Sequence, residues 1–88
     1  MPVADEIRPF TSSAYLLFHA LDELRQQYGM RLGQIVPVSQ REIAEVAGLS
    51  QGHIGELTND LEKDGWLTHE PHRGYIQHRH VPVMKVRQ

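Results

Sequence analysis

Residues 39–65 read SQREIAEVAGLSQGHIGELTNDLEKDG, two helical patterns that each begin at a serine and are joined by Ala47-Gly48-Leu49. Ser39 followed three residues later by Glu42 is a capping box: the serine hydroxyl accepts from the Glu42 backbone N–H, and the glutamate carboxylate accepts from the Ser39 N–H. Val38 and Ile43 close over that cap as a hydrophobic staple. Leu49 and Ile54 repeat the arrangement around Ser50, where the second helix starts. Gly48 supplies the positive φ that ends the first helix without a Cβ penalty. Ala44 is small where two helices cross closely. Ile43, Ala47, Leu49, Ile54, Leu57 and Leu61 fall at helical spacings on one shared inner surface. Gly65 suits a left-handed cap, so the second helix ends there and Trp66 folds back onto Leu61.

Downstream, Trp66–His69 and Tyr75–Val81 are short runs with β-branched and aromatic content, separated by the turn-forming Glu70-Pro71-His72-Arg73-Gly74; they predict a two-stranded hairpin. Upstream, Phe10-Thr11-Ser12-Ser13 caps a helix running to about Tyr28, with Ala14, Leu17, Ala20, Leu21, Leu24 and Tyr28 as its apolar stripe and Gly29 as its stop. Gln34–Val38 can pair with the hairpin, Pro37 keeping that strand at an edge. The predicted order is helix, strand, helix, turn, helix, hairpin. The fold class is mainly α with a small β-hairpin (α+β): three helices and a two- to three-stranded antiparallel sheet.

That order, with FTSSAYLLFHAL, VSQREIAEVAGLSQGHI and LTNDLEKDGWL in sequence, resembles the winged helix-turn-helix superfamily from Thr11 to about His80. It is similar to the small winged domains of bacterial, plasmid and phage regulators and replication-associated proteins. The resemblance implies a double-stranded DNA ligand, the second motif helix in the major groove, and the hairpin as a wing on the backbone or minor groove.

Eighty-eight residues read as one domain, 1–88, with 1–10 and 82–88 as arms and room for one small core. There is no cysteine, so disulfides and thiolate metal sites are excluded. No apolar run approaches the ~20 residues of a membrane span, and the N-terminus lacks the pattern of a secretion signal. The expected setting is the cytoplasm of a prokaryote, on the nucleoid.

The net charge is −2, unlike the basic balance usual in DNA-binding domains. Its distribution is uneven. Met1–Gly65 holds ten acids against five bases, a balance of −5, whereas Trp66–Gln88 sets Arg73, Arg79, Lys85 and Arg87 against Glu70, a balance of +3. Histidines 69, 72, 78 and 80 add phosphate-binding donors to the same segment. Arg73, beside Gly74 at the tip, is placed to enter a minor groove.

On the second motif helix the residues read as outward are Gln51, Gly52, His53, Gly55, Glu56, Thr58, Asn59 and Lys63. Gln51 and Asn59 have amide geometry for adenine, His53 suits a guanine edge or a phosphate, and Thr58 a phosphate or a thymine methyl. Ser39, Arg41 and Ser50 flank them at the helix starts. His72, Arg73 and Arg79 complete the expected DNA-binding set. Glu56 and Asp60 depart from the superfamily, many of whose members carry Arg or Lys on this helix. Gly52 and Gly55 each cost roughly 1 kcal/mol of helix propensity relative to alanine, which close approach of the helix to DNA or another chain would explain.

His69-x-x-His72 and His78-x-His80 have the spacing of ligand pairs but lack completing ligands, so neither metal nor cofactor is expected. No Gly-rich phosphate loop, nucleophile elbow or catalytic constellation is present, and an enzyme is not expected. Tyr15 and Phe18 point away from the stripe on the first helix, an aromatic surface that either covers the sheet or meets a second subunit. A twofold homodimer on an inverted repeat is the expectation. The alternative is a protein-interaction module whose acidic second motif helix docks a basic partner, with no DNA ligand.

Overall fold

The computed structural model describes residues 11–82. Phe10, Lys85, Arg87 and the expected arms apart from Pro82 lie outside the described residues. Among the described residues the order is α1 (Ser12–Gln27), β1 (Ile35–Val36), α2 (Gln40–Ala47), α3 (Gln51–Lys63), β2 (Leu67–Glu70) and β3 (Gly74–Gln77). This is an α+β, winged-helix-like layout: three helices and a three-stranded antiparallel sheet of order β1-β3-β2.

Each helix starts where a side chain takes an orphan N–H. The Thr11 hydroxyl accepts from Ala14, that of Ser50 from His53, and at Ser39 both halves of the capping box with Glu42 are made. The ends are equally local. Gly29 and Gly65 take positive φ, with Met30 N–H on Arg25 O and Trp66 N–H on Leu61 O closing the last turns, and Gly48 (φ 74) makes the α2–α3 turn.

The helices close over one face of the sheet. Leu17, Leu21, Val36, Ile43, Ile54, Leu67 and Tyr75 are fully buried, and Ala47, Leu49, Leu57 and Trp66 pack on them half-buried. Burying a side chain of this size contributes about 1.5–3 kcal/mol, and it is this shared core that fixes α2, which is too short to be stable alone.

Two expectations about α1 are corrected. Tyr28, assigned to the apolar stripe, is exposed, because the helix ends before its ring can turn inward; its hydroxyl lies 3.5 Å from Glu42 Oε2. Tyr15 and Phe18, read as either covering the sheet or meeting a second subunit, are buried within the chain and so offer no subunit contact, and Phe18 meets Trp66 edge to face with ring centroids 5.6 Å apart. The buried arc of α1 is wider than its stripe because the helix contacts α2, α3 and β3 together.

A polar clamp ties α1 to the central strand. Arg25 donates from Nε to Gln77 Oε1 (2.7 Å), from one terminal nitrogen to Met30 O (2.8 Å) and from the other to Asp22 Oδ1 (2.9 Å), while Gln77 Nε2 donates to Asp22 Oδ1 (3.0 Å) and Arg79 O (2.9 Å). Gln77 is fully buried, and among the described residues no buried side-chain polar atom lacks a partner. Burial pushes the Asp22 carboxyl up, but hydrogen bonds from Arg25 and Gln77, the Arg25 charge and a bond from Gln26 outweigh it and hold the pKa below the ordinary value. A depressed folded pKa gives stability that is present above the unfolded value near 3.8 and is lost as pH falls through the folded value. Part of the loss of stability below pH ~4 is therefore expected to disappear in Asp22→Asn, as measured by urea midpoints across pH 2–6.

The edges of the sheet differ. β1 runs into Pro37 at one side. At the other, the backbone N–H of His69 in β2 donates not to a strand but to Glu62 Oε2 of α3, at 2.9 Å.

Candidate nucleic-acid interface

Three segments converge on one side of the molecule: the start of α2, the first turn of α3, and the hairpin turn. Gln40, at the first position of α2, reaches across to donate to Gln51 O at 2.7 Å. Gly55 makes this possible. A Cβ there would lie 3.2 Å from Gln40 Nε2, so the close approach expected of Gly55 is to α2 of the same chain and not to DNA. Gly52 differs: it is exposed, with nothing within 4 Å of a Cβ. Gly52→Ala is therefore expected to stabilise the fold by roughly 0.5–1 kcal/mol, read as a rise in Tm, because it adds helix propensity at no steric cost.

On α3, Gln51, Gly52, Asn59 and Lys63 are exposed, as read from the sequence, whereas His53, also read as outward, is half-buried. Thr58 is corrected. It is buried beneath the sheet, 2 % exposed, with its hydroxyl 3.4 Å from that of Tyr75, and it offers nothing to a ligand. Burial holds the Tyr75 phenol above its usual pKa; the Thr58 bond partly offsets this and the Glu62 charge adds to it. Glu56 and Asp60 are exposed on the same helix as Asn59. Ser39 and Ser50 stand at the helix starts, their oxygens engaged as caps and their hydroxyl protons free to donate. Arg41 is exposed, with a 4.0 Å contact to Glu45, worth little at such exposure.

The wing turn is tight. Glu70 pairs with Gly74, Arg73 N–H donates to Glu70 O (3.0 Å), Pro71 pre-sets its own φ, and His72 takes φ 68, a value uncommon outside glycine. The Arg73 side chain is 71 % exposed and touches Glu70 Oε1 at 3.4 Å. A cleft of about 550 Å³ opens between this turn and the start of α2, its walls including Val38, Ser39, Gln40, His69, His72 and Arg73.

The basic segment does not act as one patch. Six residues, roughly 20 Å of extended chain, separate Arg79 from Arg73, so Arg79 lies at the opposite end of the hairpin. There its guanidinium lies 4.7 Å from the centre of the Trp66 ring. His78 is held with it, Nε2 being 2.7 Å from Thr68 Oγ1, and His80 follows. His69 stacks on Tyr75 at 4.4 Å. Of the four wing histidines only His72 stands exposed beside Arg73 at the tip. Among the described residues no three His, Asp or Glu side chains are grouped to hold a metal ion.

Sequence reasoning missed Gln40 and Glu70. A glycine inside α3 opposite a long amide at the start of α2 was the available signal for the first. The three-residue spacing from Arg73 was the signal for the second. No family model, no curated protein and no solved structure matches the chain.

Proposed function

We propose that this chain is a sequence-specific double-stranded DNA-binding protein of the winged helix-turn-helix superfamily, a small transcriptional regulator or a plasmid or phage maintenance factor. The observation that carries the reading is the convergence around Gln40: Ser39, Gln40, His72 and Arg73 line one cleft, and Gln40 is bonded to Gln51 at the head of α3. A helix start with adaptable amide and imidazole donors thus lies beside an exposed arginine turn, the two parts needed to read a major groove and hold the adjacent backbone. Gln51, His53 and Asn59 face bases; Ser39, Arg41, Ser50 and Lys63 face phosphates; His72 and Arg73 take the backbone or minor groove. Such a protein works on the nucleoid, and a second copy on an inverted repeat supplies the affinity that one weakly charged domain lacks. That copy is met by residues other than Tyr15 and Phe18.

A second reading is favoured by Glu56 and Asp60, which stand exposed on α3 where phosphates would approach. It makes α3 a docking helix for a basic protein partner. Selection from a random duplex pool at two salt concentrations separates the two. Enrichment of an inverted repeat establishes the first; salt-sensitive retention without enrichment reduces it to non-specific binding; no retention at low salt selects the second.

A further inference from the structure

Polar ties hold α3 along its length. The Thr58 hydroxyl lies 3.4 Å from that of Tyr75 on β3, Glu62 Oε2 accepts from the His69 N–H of β2 at 2.9 Å, and at the head Gln51 O accepts from Gln40 Nε2 of α2 at 2.7 Å. The last of these is not a cap. Inside an α-helix the carbonyl of residue 51 already accepts from the N–H of residue 55, so the Gln40 amide answers no orphan group and instead takes the oxygen's second lone pair. The helix surface there is shaped for it. The nearest atoms to a Cβ on Gly55 would all belong to the Gln40 amide, Nε2 at 3.2 Å and Cδ and Oε1 at 3.8 Å, so the amide lies across the side-chain-free face of α3. Gly52, on the same helix, is exposed with nothing within 4 Å of a Cβ. The two glycines therefore differ in kind, and what Gly55 accommodates is Gln40.

We infer that Gln40 and Gly55 form a lock between α2 and α3, and that Gln40 is a positioning residue for DNA recognition: it holds the first turn of α3, and with it Gln51 and His53, in a fixed direction. The role rests on the DNA reading above; the lock does not. Thr58 and Glu62 tie the other half of the helix to the sheet, so loss of Gln40 loosens the head and leaves Asn59 and Lys63 in place. A base contact depends on side-chain direction, whereas a phosphate contact depends mainly on charge. A loosened head therefore loses discrimination between sequences before it loses attraction to DNA.

Thermal melts of Gly55→Ala and Gly52→Ala, each with Gln40 present and in a Gln40→Ala background, test the lock. Gly52→Ala should raise Tm by about 4 °C in both, whereas Gly55→Ala should do so only where Gln40 is gone, and by under about 1 °C where its amide must shift. The role is tested on the duplex that the unmodified chain enriches from a random pool, set against a scrambled duplex. Gln40→Ala and Gln40→Met, the second keeping the length without the donor, should each lower the ratio of the two affinities about tenfold with the salt slope unchanged. Equal gains from Gly55→Ala in both backgrounds overturn the lock. An unchanged ratio, whether or not both affinities fall, or full recovery in Gln40→Met overturns the role. If the unmodified chain enriches no duplex, the DNA reading falls and the role with it, while the melts still decide the lock.

Discussion

Gly74→Ala is expected to cost about 2–4 kcal/mol, enough to unfold a large fraction of a domain of this size at moderate temperature. Gly74 is buried with φ 140, a conformation L-residues rarely adopt. A Cβ there would fall on the Val36 carbonyl oxygen, 2.9 Å from the carbonyl carbon and 3.1 Å from Pro37 Cα. All three atoms are backbone and cannot swing aside as a flexible side chain would. β1 must therefore move off β3, breaking the pairs Ile35–Ile76 and Val36–Tyr75 and loosening the wing turn that begins at the same residue. At roughly 4–8 °C per kcal/mol for domains of 60–100 residues, Tm should fall by at least about 10 °C, with amide exchange at Val36 and Tyr75 accelerated. A fall of under about 3 °C would mean that β1 is not held as described.

Arg73→Glu is expected to lower DNA affinity about tenfold to a hundredfold at low salt and to make the salt dependence shallower by about one phosphate contact. Arg79→Glu should change affinity by less than about threefold, because that guanidinium lies on Trp66 at the far end of the hairpin. The contrast is the informative part. A general electrostatic attraction would respond equally to both reversals; a wing contact responds to one. Equal losses would remove the wing tip from the interface.

The helix boundaries were legible because they rest on local chemistry. Thr11, Ser39 and Ser50 each satisfy an N–H three residues ahead, and Gly48 and Gly65 need only a positive φ; none of these depends on the rest of the chain. Facing direction was less legible. Thr58 reads as outward because it is polar, yet its hydroxyl is answered by Tyr75, seventeen residues later on a strand whose position the sequence does not specify. Tyr15 and Phe18 read as surplus to a stripe drawn for one neighbour, whereas α1 has several. The basic run from Arg73 to Arg79 looks continuous on paper, but a strand carries its two ends apart. Gly55 was read as a close approach to DNA or another chain, and only the folded chain shows that the group beside it is Gln40 of α2.

The bond from His69 N–H to Glu62 bears on how concentrated samples behave. β2 is an outer strand, and on it the groups that alternate away from β3 are those of Leu67, His69 and Pro71. Leu67 is buried, the His69 amide is already taken, and proline has no amide hydrogen at all. A strand from another molecule arriving there would find almost no donors to template on, so sheet-to-sheet polymerisation is blocked on this flank. Removing the Glu62 carboxylate would free the His69 amide, the one donor of the three that could pair, so Glu62 guards this edge as well as forming part of α3.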